Sequence, residues 1–191
     1  MSDIDNQLER LLDTFCSQVQ AVTGKPPQQE YDSDWPSVCI KGGPDQQGMV
    51  SWLPVKRADK ADFSGLETAL EVEVHADIKA YYGSYWSEGI EAEATDGRLT
   101  LIQIWNESDF DRLLENFIGH AMAKRRSREA LTFFFACTDD PEFFLSVENK
   151  TGQVLLERPG EAPIRTVADS LGAFLSGLEP VIRSPSESDW D

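Results

Sequence analysis

Apolar residues recur through the first 22 positions at helical spacing. Ile4, Leu8, Leu11, Leu12, Phe15, Val19 and Val22 fall on one stripe, and Gly24 stands where it ends. An amphipathic first helix is therefore expected. The stretch 23–48 breaks the pattern with Pro, Gly and Gln and reads as a long loop; loops of that length in compact domains are often functional. "MVSWLPV" (49–55) reads as a short strand, with Pro54 suggesting an edge. Over 65–86 the spacing of Leu66, Leu70, Ile78, Tyr81 and Tyr82 is helical again, and Val72 and Val74 mark an interruption.

From 88 to 105 the period changes. Asp96-Gly97 reads as a two-residue turn of the kind that needs positive φ, between strand-like runs. Pairing across it sets Glu93 opposite Thr100 and Glu91 opposite Ile102, on one face. Residues 99–105 are apolar on both faces and predict a central strand; "LTFFFA" (131–136) reads the same way. "FFLSVE" and "QVLLE" flank "NKTG" as a second hairpin. Between the two central strands Phe110, Leu113, Leu114, Phe117, Ile118, Ala121 and Met122 predict a helix over 109–126, with Ser108 and Asp111 resembling a capping box. A long helix between two strands suggests a crossover that leaves them neighbours or near-neighbours in the sheet. Val167, Leu171, Phe174, Leu175 and Leu178 make a last amphipathic helix, stopped by Pro180.

These elements give an α/β (α+β) fold over 1–182. It is a single domain, a twisted mixed sheet with two β-hairpins flanked by about four helices. "RSPSESDWD" (183–191) is polar and acidic and reads as a flexible tail.

Charge changes the picture more than composition does. The chain has 34 Asp and Glu against 17 Lys and Arg, for a net charge of −17. Nucleic acid is disfavoured as a partner, because its phosphates need cations. A basic partner is favoured electrostatically, and simple solubility is the other reading. The three cysteines lack CxxC spacing; Cys16, Cys39 and Cys137 read as buried reduced thiols. No apolar h-region opens the chain, and no run approaches the roughly 18 apolar residues of a membrane span. A cytoplasmic protein is expected, with any membrane contact made through a partner.

Candidate chemistry is sparse. His75 and His120 are the two histidines, and neither sits in HExxH or similar ligand spacing, so no metal is expected. There is no GxSxG elbow, no GxxxxGK[ST] loop and no GxGxxG, so neither catalytic residues nor a cofactor nor a small-molecule substrate is expected. Within the 109–126 helix, Gly119 falls opposite the apolar stripe. There it costs about 1 kcal/mol relative to alanine, and suggests close approach by another segment or a partner. The basic run of Lys124, Arg125, Arg126 and Arg128 sits where cations complement the helix dipole.

Five strings then carry a resemblance. "LETALEVEVHADIKAYYG", "LTLIQIWNESDFDRLLENFIGHAMAKRR", "LTFFFAC", "SVENKTGQVLLERPG" and "SLGAFLSGLEP" follow one another across roughly 65–180. In order and spacing they resemble the Syd family of bacterial SecY-interacting proteins. "LETALEVEVHADIK" is also similar to the wider superfamily of Syd and bacterial immunity proteins. The resemblance implies a non-enzymatic regulator that binds SecY, sequesters or checks unpartnered SecY, and sits peripherally on the cytoplasmic face of the inner membrane. It also implies an acidic concave groove. Basic cytoplasmic loops of a membrane protein suit such a surface. The motif does not assign the groove's carboxylates; Glu67, Asp77, Glu88, Glu91, Glu93 and Glu115 are the candidates, each also explicable as solvated surface. An acidic immunity-type protein that neutralises a basic toxin is the alternative.

Overall fold

The computed structural model describes residues 3–182 as one α+β domain; the tail expected over 183–191 lies outside the described residues. The first helix, α1 (Asp3–Thr23), buries Ile4, Leu8, Leu11 and Leu12, while Phe15 and Val19 further along the expected stripe are half-buried and Val22 is exposed. From its flank Arg10 donates to the carbonyls of Leu175 (2.9 Å) and Leu178 (3.1 Å), tying the chain's start to its end. No described helix is long and apolar enough to cross a membrane.

The stretch 23–48 is not all loop. It contributes β1 (Gln28–Glu30) and β2 (Ile40–Lys41), which flank β3 (Met49–Trp52) in a small antiparallel sheet. Thus β3 is central rather than an edge. Pro54 lies beyond its last residue, where the missing N–H costs the ladder nothing. The chain continues into β4 (Val55–Lys56), paired with β5 (Tyr85–Trp86).

The expected interruption is present between α2 (Ser64–Leu70) and α3 (Ala76–Ser84). Glu71 ends α2 in the left-handed region (φ 52°), and His75 caps α3 by accepting the Asp77 N–H at Nδ1, 3.2 Å. The step between them docks on the second hairpin. Asn149 Oδ1 accepts the His75 N–H (2.8 Å), and Asn149 Nδ2 donates to the Glu73 carbonyl (2.8 Å).

The main sheet runs in the order β11 (Arg165–Ala168), β10 (Val154–Glu157), β9 (Phe144–Glu148), β8 (Thr132–Thr138), β7 (Gly97–Leu101), β6 (Ile90–Ala94), β12 (Glu179–Pro180). Both expected hairpins are present, β6–β7 and β9–β10, though the first turn is Thr95-Asp96. Glu93 therefore faces Arg98 and Glu91 faces Thr100. The register moves by two residues, one pleat period, so both glutamates keep their common face. The sheet is curled, and Arg165 of β11 bridges to Asp96 at 2.7 Å.

The two central strands are neighbours, as expected, but they are antiparallel. The connection through α4 (Glu107–Ser127) is therefore no crossover. Ile102–Trp105 leave the ladder instead of extending β7, while Ile102 still donates to the Phe135 carbonyl (2.9 Å). The helix cap also lies two residues earlier than Ser108–Asp111. Asn106 Oδ1 accepts the Asp109 N–H and Asp109 Oδ2 accepts the Trp105 N–H, each at 2.9 Å.

A bulge between Phe134 and Ala136 bends β8. The buried Tyr82 donates to the Phe134 carbonyl there at 2.9 Å. Phe117 of α4 packs edge-on against Tyr82, Phe133 and Phe134, which makes it the centre of the aromatic core. Val167 belongs to β11, not to the last helix; α5 (Leu171–Ser176) starts at Ser170, whose Oγ accepts the Ala173 N–H at 3.1 Å. Pro180 does not merely stop that helix but is a buried residue of β12.

Two further expectations change. Cys39 is buried and Cys16 half-buried, but Cys137 on β8 is exposed. Burial raises the Cys39 thiol and lifts the Cys16 thiol to about 11 with help from Asp13. The basic run is not simply a complement to the helix dipole. Lys124 turns inward and pairs with Glu157, Arg125 donates to the Leu70 carbonyl, and Arg128 is the left-handed C-cap (φ 58°).

Candidate functional site

A groove of about 400 Å³ opens between α1 and the end of the main sheet at β6 and β12. Phe15, Val19, Trp52 and Val181 give it an apolar floor, with Glu88 and Glu91 at its lip. Its shape follows from local packing. Phe15 stacks on Trp52 at 6.1 Å between centroids, and Trp52 meets Trp105 edge-on at 6.0 Å. Gly89 passes close to β7, where a Cβ would stand 3.1 Å from the Leu101 carbonyl oxygen. Glu88 is exposed as a residue, but partial desolvation of its carboxyl raises its pKa; the Gly89 N–H that donates to Oε1 at 3.1 Å opposes the rise, and the charge of Asp109 adds to it. Such a carboxylate gains most from a cation that takes the place of its lost water.

A second set of carboxylates lies on α1, near Ser84 and Tyr85. Asp5, Glu9 and Asp13 repeat every four residues along one flank of α1. Tyr85 lies within their field; burial and then the charges of Glu9, Asp13 and Asp5 push its hydroxyl up to about 12. Ser84 donates to Asp5, and Lys56 Nζ lies 5.6 Å over the Tyr85 ring. The i, i+4, i+8 repeat of acids is visible in the sequence beside the apolar stripe. It was missed because the stripe alone accounts for the helix.

Of the six candidate carboxylates, Glu88 and Glu91 come together in the groove. Glu93 follows on the same face of β6 and is exposed, paired in register with Arg98 and Glu179. Glu67 does a structural job. Its Oε1 accepts from Lys79 Nζ (2.7 Å) and from the Val74 N–H (2.9 Å), clasping α2 to α3. These bonds hold its carboxyl below the usual range and raise the Lys79 ammonium. Asp77 occupies the first turn of α3, and Glu115 lies on the exposed side of α4.

A family model described as Syd protein (SUKH-2) matches residues 5–180. The chain belongs to the Syd family. Among similar proteins, the Protein Syd of Pseudoalteromonas atlantica is 42% identical over 79% of this chain and 82% of its own. That of Alteromonas mediterranea is 36% identical over 93% of this chain and 97% of its own. That of Hahella chejuensis is 38% identical over 94% and 95%. The matched Syd span includes all but the first two residues of α1, the whole main sheet and both groove glutamates.

The Syd-like string from Gln103 to His120 is mostly frame. Gln103 and Trp105 are buried, and Trp105 Nε1 donates to the Trp35 carbonyl at 3.2 Å. Asp109 completes the α4 cap, while Phe110, Leu113 and Phe117 are core. His120 shares a 2.8 Å hydrogen bond between Nε2 and Thr132 Oγ1 and packs edge-on against Phe134 and Phe144. The Syd signature thus builds the scaffold on which the groove lined by Glu88 and Glu91 is displayed.

Proposed function

We propose that this chain is a non-enzymatic regulatory protein that binds SecY from the cytoplasmic side and so sequesters or checks unassembled channel. Contact is made with SecY's basic cytoplasmic loops, and the chain is held peripherally at the inner membrane by that contact. Membership of the Syd family supports the partner. The observation that carries the site is the juxtaposition of Glu88 and Glu91 with an apolar floor of Phe15, Val19 and Trp52. A loop rich in Lys and Arg supplies the cations, and an apolar side chain between them fills the floor. The net charge of −17 steers such a loop toward the protein before contact.

The test is a pull-down with the full chain from detergent-solubilised inner membranes, read by mass spectrometry. SecY retained from wild-type extract, and lost when Glu88 and Glu91 are both changed to lysine, is the expected result. Retention of a secreted basic toxin instead would replace the proposal with the immunity-type alternative. Retention of SecY undiminished by the double change would move the site elsewhere.

A further inference from the structure

Gly119 stands on the solvent side of α4, where an added Cβ would meet nothing within 4 Å. A glycine there costs the helix about 1 kcal/mol relative to alanine, and no described segment of the chain uses the gap. At about 100° per residue, Glu115, Gly119, Met122 and Arg126 fall within an arc of about 60°. This arc lies opposite the buried Phe117 and Ala121. All four residues are exposed, Met122 by 43%, and the exposed Ile118 borders them, so these two side chains, counted in the apolar stripe by their spacing, lie outside the buried face. Their successive spacings of four, three and four residues are those of a two-helix seam.

We propose that α4 pairs with α4 of a second copy of this chain, antiparallel about a two-fold axis. The order of the four residues decides the direction. In an antiparallel pair Glu115 faces Arg126 and Gly119 faces Met122, and symmetry makes each contact twice. In a parallel pair Glu115 would face Glu115 and Arg126 would face Arg126, which is repulsive. The methionine fills the space left by the glycine and lets the helix axes approach closely.

The neighbouring cations do not compete for the seam. Arg112 lies 4.2 Å over the Trp35 ring, and Arg125 donates to the Leu70 carbonyl. One helix pair is a small interface, and each copy carries −17. The dimer is therefore weak and reversible, below the roughly 1,000 Å² of a stable complex. It forms at high local concentration and falls apart on dilution.

Sedimentation velocity on the full chain at physiological ionic strength, from about 20 μM to about 1 mM, tests this. A concentration-dependent monomer–dimer equilibrium is expected. Glu115→Arg and Arg126→Glu should each weaken it on the order of tenfold. An equimolar mixture of the two variants should associate again, because every pair across the mixed seam is then of opposite sign. The mixture also has the same summed charge as two wild-type copies, so general repulsion does not explain recovery. Gly119→Gln removes the gap while improving helix propensity, so it should raise the melting temperature and abolish the dimer. A chain monomeric over the whole range overturns the proposal. So does a dimer indifferent to these changes, or a mixture no better than its components.

Discussion

Lys124 in the last turn of α4 and Glu157 on β10 form an ion pair inside the protein, with exposures of 6% and 0%. The second oxygen of Glu157 accepts from the buried Ser146 hydroxyl, so the carboxylate is satisfied on both sides. Removing one member strands the other charge. Lys124→Met alone is therefore expected to cost about 3–5 kcal/mol in urea unfolding. The triple change Lys124→Met, Ser146→Ala, Glu157→Leu should recover most of that loss, since an apolar replacement of a buried pair is often neutral or better. A single change without effect would mean that the ammonium is solvated.

His120 lies one turn before Lys124 and gives the stability a pH dependence. Burial lowers its pKa below the usual 6.5; Glu157 opposes the shift and Lys124 adds to it. The unfolded chain therefore takes up this proton first as pH falls. The contribution of neutral His120 is complete above about 6.5 and declines below it, at no more than about 1.4 kcal/mol per pH unit. His120→Gln should flatten the stability profile between about pH 6.5 and 5.5, above the carboxylate range. Parallel profiles for the two proteins would exclude His120 as the source.

At the groove, Glu88→Gln with Glu91→Gln should weaken SecY-loop peptide binding on the order of tenfold at low salt, and Glu93→Gln should weaken it less. Raising ionic strength past 0.1 M, where the screening length is about 10 Å, should bring wild type and double variant together. Fluorescence anisotropy with a labelled basic loop peptide measures both effects. Salt-insensitive binding would assign recognition to the apolar floor alone.

Gly152 in the β9–β10 turn takes φ +77°, and a Cβ there would lie 2.7 Å from Nε2 of His75. Gly152→Ala should cost more than about 2 kcal/mol, from left-handed strain together with displacement of the α3 cap. Adding His75→Ala should relieve part of that loss, a non-additivity expected of touching residues. Strictly additive melting shifts would separate the two sites.

Sequence alone determined the elements whose signal is local and long. The apolar stripes of α1 and α4 recur over several turns of helices that are 21 residues long each, and burying most of such a stripe leaves little choice of conformation. The two hairpins were legible because turn chemistry and pleat alternation lie within a few residues of each other, although the first turn lies one residue earlier than expected, which moves the pairing register by two. The break between α2 and α3 was legible from two valines. The Syd strings were legible too, and they are mainly the residues of this frame.

Tertiary structure decided what depends on partners distant in the chain. β1 and β2 are too short to carry a period, and exist because β3 offers both its edges. Antiparallel pairing of β7 with β8 rests on contacts formed across the whole of α4. Lys124 falls on the buried side of its helix by angle, but only Glu157, 33 residues away, makes an ammonium tolerable there. The groove is the same kind of fact. Phe15, Trp52, Glu88 and Val181 come from four separate parts of the chain, and a surface assembled from the ends of several elements leaves no periodic trace in any of them.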